Sequence, residues 1–357
     1  MKKFISFFVG IIAILVCLFM MMVKLNDHPQ ASHEVLTIYN WGDYIDPELI
    51  EQFEKETGYK VNYETFDSNE AMFTKIRQGG THYDIAIPSD YMIQKMTAEH
   101  LLQPLDHRKI KGMSALNPML LNKPFDPHNQ YSIPYFFGTL GIVYNQKTLP
   151  KGVNIQSWAD LWNPKLENSI MLVDGAREVM GLALKANHQS LNSKNKEALQ
   201  QAYQRLTTLV PNVKAIVADE MKMYMKQGES SVAVTFSGEA RDMMEHNPNL
   251  RYIIPSEGSN LWFDNMVIPK TATNIDGAYA FINFMLRPKN AAKNAEYIGY
   301  ATPNQKAMAY LPKKVTQNQA FYPDKKMMAK LEVFENLGPY YLGLYNDYFL
   351  KFKMHTH

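Results

Sequence analysis

Along the first third of the chain, apolar residues recur with periods that switch between strand and helix. A helix is predicted over 47–57, because Asp46 can cap it, Pro47 suits its first turn and Gly58 follows its end. A β-α-β-α-β order of this kind indicates a mainly parallel sheet flanked by helices. The other elements predicted here are strands over 34–39, 60–66 and 83–88 and a helix over 68–78.

A second region of the same α/β character follows. Because 357 residues exceed what one core usually holds, we predict two lobes, each a mainly parallel sheet flanked by helices. The chain is expected to cross between them near 138–145 and 264–270, with a third crossing after Asn304. The predicted strands are 141–145, 169–173, 213–217, 231–235 and 251–254, and the helices are 176–186, 194–208 and 276–286. The first lobe would comprise 35–139 and 268–305, and the second 140–267 and 306–350.

The N-terminus has the pattern of an export or anchoring segment. Lys2 and Lys3 precede an uncharged apolar run over 4–23, which as a helix would rise about 30 Å and could cross a bilayer. Residues 1–25 are therefore expected to be a membrane anchor or a signal peptide, with a polar linker over 26–34. Lipidation at Cys17 is a third possibility, and all three place the body outside the cytoplasm.

Composition narrows the chemistry. The chain has 37 basic and 35 acidic side chains and no block of like charge, so nucleic acid is not an expected partner. Its one cysteine, Cys17, lies in the N-terminal apolar run, so the body has no disulfide, no thiolate nucleophile and no cysteine-based zinc site. We expect no metal, no cofactor and no catalytic residue.

Aromatic and acidic side chains recur together near the predicted strand ends, where ligands bind in open α/β sheets. Carboxylates can replace the water around ammonium groups, and flat rings can enclose methylene runs and attract cations. The pattern therefore suits a slender polycation, although each residue taken singly could be core, a cap or a turn former. These residues are Trp41, Asp43, Tyr44, Ser89, Tyr91, Glu178, Trp262, Asp264 and Tyr300.

From about Leu36 to Tyr348 the sequence resembles the spermidine/putrescine-binding proteins of polyamine ABC importers. The resemblance implies a two-lobed periplasmic-binding-protein fold, a polyamine in the interlobe cleft, and an ABC permease and ATPase as partners of a monomer. It is carried by YNWGDY (39–44), LIEQFEKETG (49–58), YDIAIPS (83–89), LNKPFDP (121–127), YSIPY (131–135), SWADLW (157–162), DGAREV (174–179), LWFD (261–264) and IGYATPN (298–304).

The resemblance also implies roles for the site residues. The acidic contacts would be Glu178 and Asp264, with Asp43 as an additional one, and Ser89 would be a polar contact. The aromatic box would consist of Trp41, Tyr44, Tyr91, Trp262 and Tyr300.

Three positions depart from the pattern of this family. Gly175 stands where an acid is often found, Phe236 replaces a tryptophan, and Glu335 replaces a glutamine. We hypothesise that Glu335 restores, from across the cleft, the negative charge that is lost at Gly175. These departures leave the preference between spermidine and putrescine open.

Other classes of function stay open at this point. An enzyme on the same bilobal fold is disfavoured by the absence of a thiol in the body and of a nucleophile, zinc or phosphate-loop motif. The same fold could bind another small cationic solute. A sensory or adhesive receptor is the third alternative.

Overall fold

The computed structural model describes residues 34–218 and 220–356. The predicted anchor or signal segment over 1–25, and all of the predicted linker except Glu34, lie outside the described residues. In the described part of the chain, no helix is long and apolar enough to span a bilayer.

The fold alternates strands and helices as predicted. The strands are β1 Val35–Trp41, β2 Lys60–Phe66, β3 Ile85–Ala86, β4 Ser132–Asn145, β5 Ile170–Val173, β6 Val213–Val217, β7 Val232–Phe236, β8 Leu250–Ile253 and β9 Leu261–Val267. The helices are α1 Pro47–Thr57, α2 Asn69–Gln78, α3 Asp90–Ala98, α4 Ala176–Ala186, α5 Lys196–Thr207, α6 Glu220–Gln227, α7 Ser237–His246, α8 Ile275–Met285, α9 Pro288–Ile298, α10 Lys313–Thr316, α11 Lys325–Met328 and α12 Gly338–Met354.

The capping residues account for the bounds of α1. The Asp46 side chain accepts a hydrogen bond from the Glu48 amide at 2.9 Å, and Gly58 ends the helix with a φ of 81°. The bounds of α1, β2, α4 and β6 agree with those predicted.

One long strand, β4, joins the two lobes. Its first half, Ser132–Thr139, pairs with β9 in a sheet of order β2-β1-β3-β9-β4, in which β1 is parallel to β2 and β3. Its second half, Leu140–Asn145, pairs with β7 and β8, and β7 continues to β5 and β6 in parallel. The change of sheet partners between Thr139 and Leu140 lies within the range 138–145 where a crossing was predicted.

The crossing predicted near 264–270 is wrong. Strand β9 is hydrogen-bonded to β3 and to the first half of β4, so it belongs to the first sheet. The chain returns to the first lobe between β8 and β9, over residues 254–260, and the boundary drawn after residue 267 is corrected accordingly. The sequence pattern misled because a buried aspartate and a buried asparagine interrupt β9, which obscures it as a strand.

Each sheet is covered on both faces. Successive residues of β1 enter different cores, since Leu36 and Ile38 pack with Phe53 and Phe281, whereas Tyr39 packs on the other face. The second lobe likewise has one core against α4, α5 and α12 and another against α6 and α7. The two sheets are thus rigid platforms that hold residues at the edges where the lobes meet.

Two glycines allow a matched test of the local backbone argument. Gly58→Ala should lower the free energy of unfolding by about 1 kcal/mol, because alanine is strained at a positive φ. Gly343→Ala, inside α12 with no atom within 4 Å of the new Cβ, should raise it by about 0.5–1 kcal/mol. Chemical denaturation measures both values. Equal changes of the same sign would contradict the assignment of Gly58 to the end of α1 and of Gly343 to the interior of α12.

Candidate functional site

The carboxylate of Asp264 organises the first-lobe side of the site. It is 7% exposed and accepts hydrogen bonds from the Tyr44 hydroxyl and the Ser89 hydroxyl, both at 2.6 Å. Burial raises the pKa of the Asp264 carboxyl to about 6, and the two hydroxyl donors lower it in part. Residues after β1, before α3 and within β9 are thereby brought to one point.

The side chain of Asn69, which was not predicted as a site residue, holds two of the predicted site residues in place. Asn69, the first residue of α2, donates to the Ser89 hydroxyl at 3.0 Å and to the Tyr91 hydroxyl at 3.1 Å, and it accepts from the Ser89 amide. The Tyr91 hydroxyl also lies 3.3 Å from a carboxylate oxygen of Glu70. The first residue of α2 therefore orients Ser89 and Tyr91. The sequence pattern predicts the helix but not this role of its first residue.

Four aromatic rings run from the first lobe toward the second. The Tyr44 and Tyr300 ring centroids are 5.7 Å apart, and those of Tyr300 and Trp262 are 5.0 Å apart. The Trp262 ring then lies 6.3 Å from Phe236 at the end of β7. All three pairs meet edge to face, an arrangement favourable for aromatic pairs. Trp41 instead packs on Phe66, at 4.6 Å.

Tyr300 makes direct contact with the second lobe. Its hydroxyl donates to Glu239 at 2.9 Å, and Glu239 pairs with Lys222 at 2.8 Å. A Cβ placed on Gly238 would lie 1.5 Å from the Tyr300 ring. Glycine at this position is therefore required for the ring to seat on the first turn of α7.

The second lobe contributes Glu178 in the first turn of α4. Burial raises the pKa of the Glu178 carboxyl. A Cβ on Gly175 would lie 2.2 Å from the Glu178 carboxylate, so this carboxylate fills the space that a side chain at position 175 would need. The departure at Gly175 thus has a local structural consequence, whatever the role of Glu335.

Two ionisable groups near the site, Asp90 and Arg177, were not predicted from the sequence. Asp90 is buried, accepts from the amides of Tyr91 at 2.6 Å and Phe263 at 3.1 Å, and has a pKa raised by burial to about 8. Burial lowers the pKa of Arg177, and the charges of Glu178, Asp90 and Glu335 oppose that shift. Acids and caps at helix starts are common, so the sequence pattern does not distinguish these residues.

The remaining predicted residues are placed as follows. Asp43 is exposed in the turn after β1, with a φ of 48°. Glu335 is exposed on the segment between α11 and α12. Trp41 and Phe236 were expected at strand ends and are the last residues of β1 and β7. Trp262 and Asp264 were expected after a strand and instead lie within β9, whose alternation turns both toward Tyr44 and Tyr300.

Among the described residues, no group of three or more histidine, cysteine, aspartate or glutamate side chains could hold a metal ion. Carboxylates and aromatic rings that line the junction of two α/β lobes are the features of a two-lobed protein that binds small molecules.

Comparison with known proteins assigns the family. The model for the bacterial extracellular solute-binding protein family matches residues 48–323, and the chain belongs to that family. The family binds solutes outside the cytoplasm and is not enzymatic, so the predictions of a binding protein and of an extracytoplasmic body are confirmed.

Individual relatives agree with this assignment. The spermidine/putrescine-binding periplasmic protein of Salmonella typhimurium is 39% identical over 90% of this chain and 92% of its own length. Its namesake from Escherichia coli is 39% identical over the same shares. The solved spermidine/putrescine ABC transporter substrate-binding protein PotD of Streptococcus pneumoniae is 59% identical, with a TM-score of 0.87 over 91% of this chain and 100% of that one. The predicted two-lobed fold and the stated resemblance are confirmed.

The Gly238–Tyr300 contact yields a test of how the lobes meet. Gly238→Ala should displace the Tyr300 ring and loosen the interlobe contact, because the two atoms cannot both keep their positions. Small-angle X-ray scattering of the ligand-free protein should then give a larger radius of gyration than wild type. Gly80→Ala, with no atom within 4 Å of its new Cβ, is the control. Identical scattering for all three proteins would contradict the contact.

Proposed function

We propose that this protein captures spermidine, putrescine or both in the cleft between its lobes and delivers the polyamine to an ABC permease and ATPase. The observation that carries the proposal is the buried Asp264 carboxylate beside the rings of Tyr44, Trp262 and Tyr300. The spermidine/putrescine-binding relatives described above support the same ligand class.

The chemistry of the ligand suits this arrangement. An ionised carboxylate that is buried without a cation is unfavourable, and a bound ammonium removes that cost. Methylene groups can lie between ring faces, and each ring can also attract the cation by about 0.5–2 kcal/mol. A solute with ammonium groups separated by methylenes therefore satisfies both parts of the site.

The proposed ligand contacts come from both lobes. The first lobe supplies the larger part, and Phe236, Glu178 and Glu335 come from the second-lobe side. The set comprises Trp41, Asp43, Tyr44, Ser89, Tyr91, Glu178, Phe236, Trp262, Asp264, Tyr300 and Glu335.

Capture is proposed to work by closure about the connections between the lobes, which include β4 and residues 254–260. A ligand held from both sides stabilises the closed state, which the transporter then recognises. No bond is made or broken. The protein is proposed to act as a monomer at the outer face of the cytoplasmic membrane, held there or exported by residues 1–25.

Calorimetric titration with spermidine, putrescine and arginine tests the proposal. Tight one-to-one binding of a polyamine, with no heat from arginine, is the expected result. Folded, ligand-free protein that gives neither heat nor thermal stabilisation with any polyamine would contradict it. Binding of a different small cation would then favour the alternative solute.

Polyamine affinity should depend on pH through Asp264. A pKa of about 6 in the free protein means that the carboxyl must lose a proton before it can pair with an ammonium, so affinity is full above pH 7 and falls as the pH drops through 6. Spermidine should bind about tenfold more weakly at pH 5 than at pH 7.5.

Tyr44→Phe is the matched variant for this pH profile. It keeps the ring but removes one donor to the Asp264 carboxylate, which should raise the pKa and move the midpoint of the affinity profile to higher pH. A flat profile in wild type, or a midpoint that the variant leaves unchanged, would rule out Asp264 as the titrating group.

A further inference from the structure

Residues 332–336, which we call the strap, run alongside the second connection between the lobes. The Leu261 amide donates to the Glu332 carbonyl at 2.9 Å, and the Glu332 amide donates to the Ser259 carbonyl at 3.0 Å. The strap is therefore fixed at its start to the segment that leads from β8 to β9.

The side chain of Glu332 attaches the strap to the second lobe. Its carboxylate accepts from the buried Lys185 ammonium, from the Ser190 hydroxyl at 2.5 Å and from the Leu191 amide at 3.1 Å. Hydrogen bonds to charged groups are stronger than neutral ones, so this attachment is firm.

A second attachment lies beyond it, where one asparagine holds two strap residues. The Asn192 amide group donates to the Val333 carbonyl at 2.8 Å and accepts from the Glu335 amide at 2.9 Å. It also accepts from Arg177 at 2.8 Å, and Arg177 donates to the Glu335 carbonyl at 3.1 Å. Asn192 and Arg177 together bind both backbone polar groups of Glu335, and we call this pair the clamp.

The guanidinium is held in place by rings. Its centre lies 4.3 Å from the Phe334 ring and 5.2 Å from the Tyr345 ring, and Phe334 itself is buried. The planar guanidinium can stack on a ring and donate from its edge at the same time, which an ammonium cannot do. The rings of Phe334 and Tyr345 therefore fix the orientation of the Arg177 guanidinium.

The far end of the strap reaches the first lobe. The Asn336 amide donates to the Gln94 side chain, on α3, at 3.1 Å. The strap is bound to the second lobe by several hydrogen bonds from the clamp and Glu332. Glu178, a proposed ligand contact, follows Arg177 directly in the sequence. The clamp therefore fixes the position of Glu335 relative to Glu178.

We propose that Arg177 and Asn192 are positioning residues for polyamine binding, which fix the backbone of Glu335 so that its carboxylate joins Glu178 as the acidic end of the site on the second lobe. This inference rests on the proposed function. Neither clamp residue needs to touch the ligand, because both act through the carboxylate of Glu335.

A double-mutant cycle with spermidine as the probe tests this role, because two changes that act through one group do not add. Asn192→Ala should weaken binding about tenfold, and so should Glu335→Gln. The double variant should bind within about twofold of Glu335→Gln alone, since an unclamped glutamine has no charge left to misplace.

Asn187→Ala is the matched control. Asn187 accepts from Arg205 at 2.7 Å in the same lobe, so the variant loses a comparable asparagine–arginine bond away from the strap. It should bind spermidine as wild type does, with a similar loss of melting temperature. This separates positioning from general destabilisation.

Arg177→Lys keeps the positive charge but loses the planar guanidinium that donates to two acceptors at once. This variant replaces Asn192→Ala in the test if that variant fails to fold. It too should lose about tenfold in affinity, with no further loss when combined with Glu335→Gln. Wild-type affinity in both clamp variants, or losses that add to that of Glu335→Gln, would overturn the inference while leaving the proposed function standing. A wild type that binds no spermidine would overturn both.

Discussion

A buried carboxylate is the interaction on which the rest of the site depends. Asp264 is removed from water, and the hydroxyl groups of Tyr44 and Ser89 donate hydrogen bonds to its carboxylate. Those two donors fix the turn after β1 and the start of α3 against β9. The same desolvation that raises the pKa of this carboxyl favours a cation beside it. The burial of the Asp264 carboxylate therefore accounts both for the local arrangement of Tyr44 and Ser89 and for the preference for a cationic ligand.

The second constraint is that two sheets share one strand. Since β4 belongs to both, opening of the cleft must bend β4 near residues 139–140, together with the other connections between the lobes, such as residues 254–260. Tyr300 reaches from the first lobe onto Gly238 and Glu239 of the second, so the lobes contact each other in this structure without a ligand. A ligand that contacts both lobes would then shift the equilibrium between the open and closed conformations.

Elements with strong local signals could be predicted from the sequence. The bounds of α1 followed from Asp46, Pro47 and Gly58, because caps act on the backbone within one turn. The identity of β9 depended on hydrogen bonds to β3 and β4, which are remote in sequence, and its buried polar residues disguised it. Local patterns do not carry such long-range pairing, so the lobe boundary was misplaced.

The site divides in the same way. The candidate residues with a ring or an acid, such as Tyr44, Asp264 and Glu178, could be proposed because aromatic and acidic side chains recur together near the predicted strand ends, where the sequence also resembles the polyamine-binding family. The residues that hold them, such as Asn69 and Asn192, act through geometry between distant segments. An asparagine at a helix start or in a loop is ordinary in sequence, and only the fold shows its partners.

The most direct measurement of the central claim is the spermidine affinity of Asp264→Asn, determined by calorimetry at pH 7.5. Asp276→Asn, at an exposed carboxylate on α8 that pairs with Lys109, is the control. The account predicts a loss of about 100-fold or more for Asp264→Asn and none for the control, since removing a buried charge partner is costly. An Asp264→Asn protein that is folded and binds spermidine as tightly as wild type would contradict it.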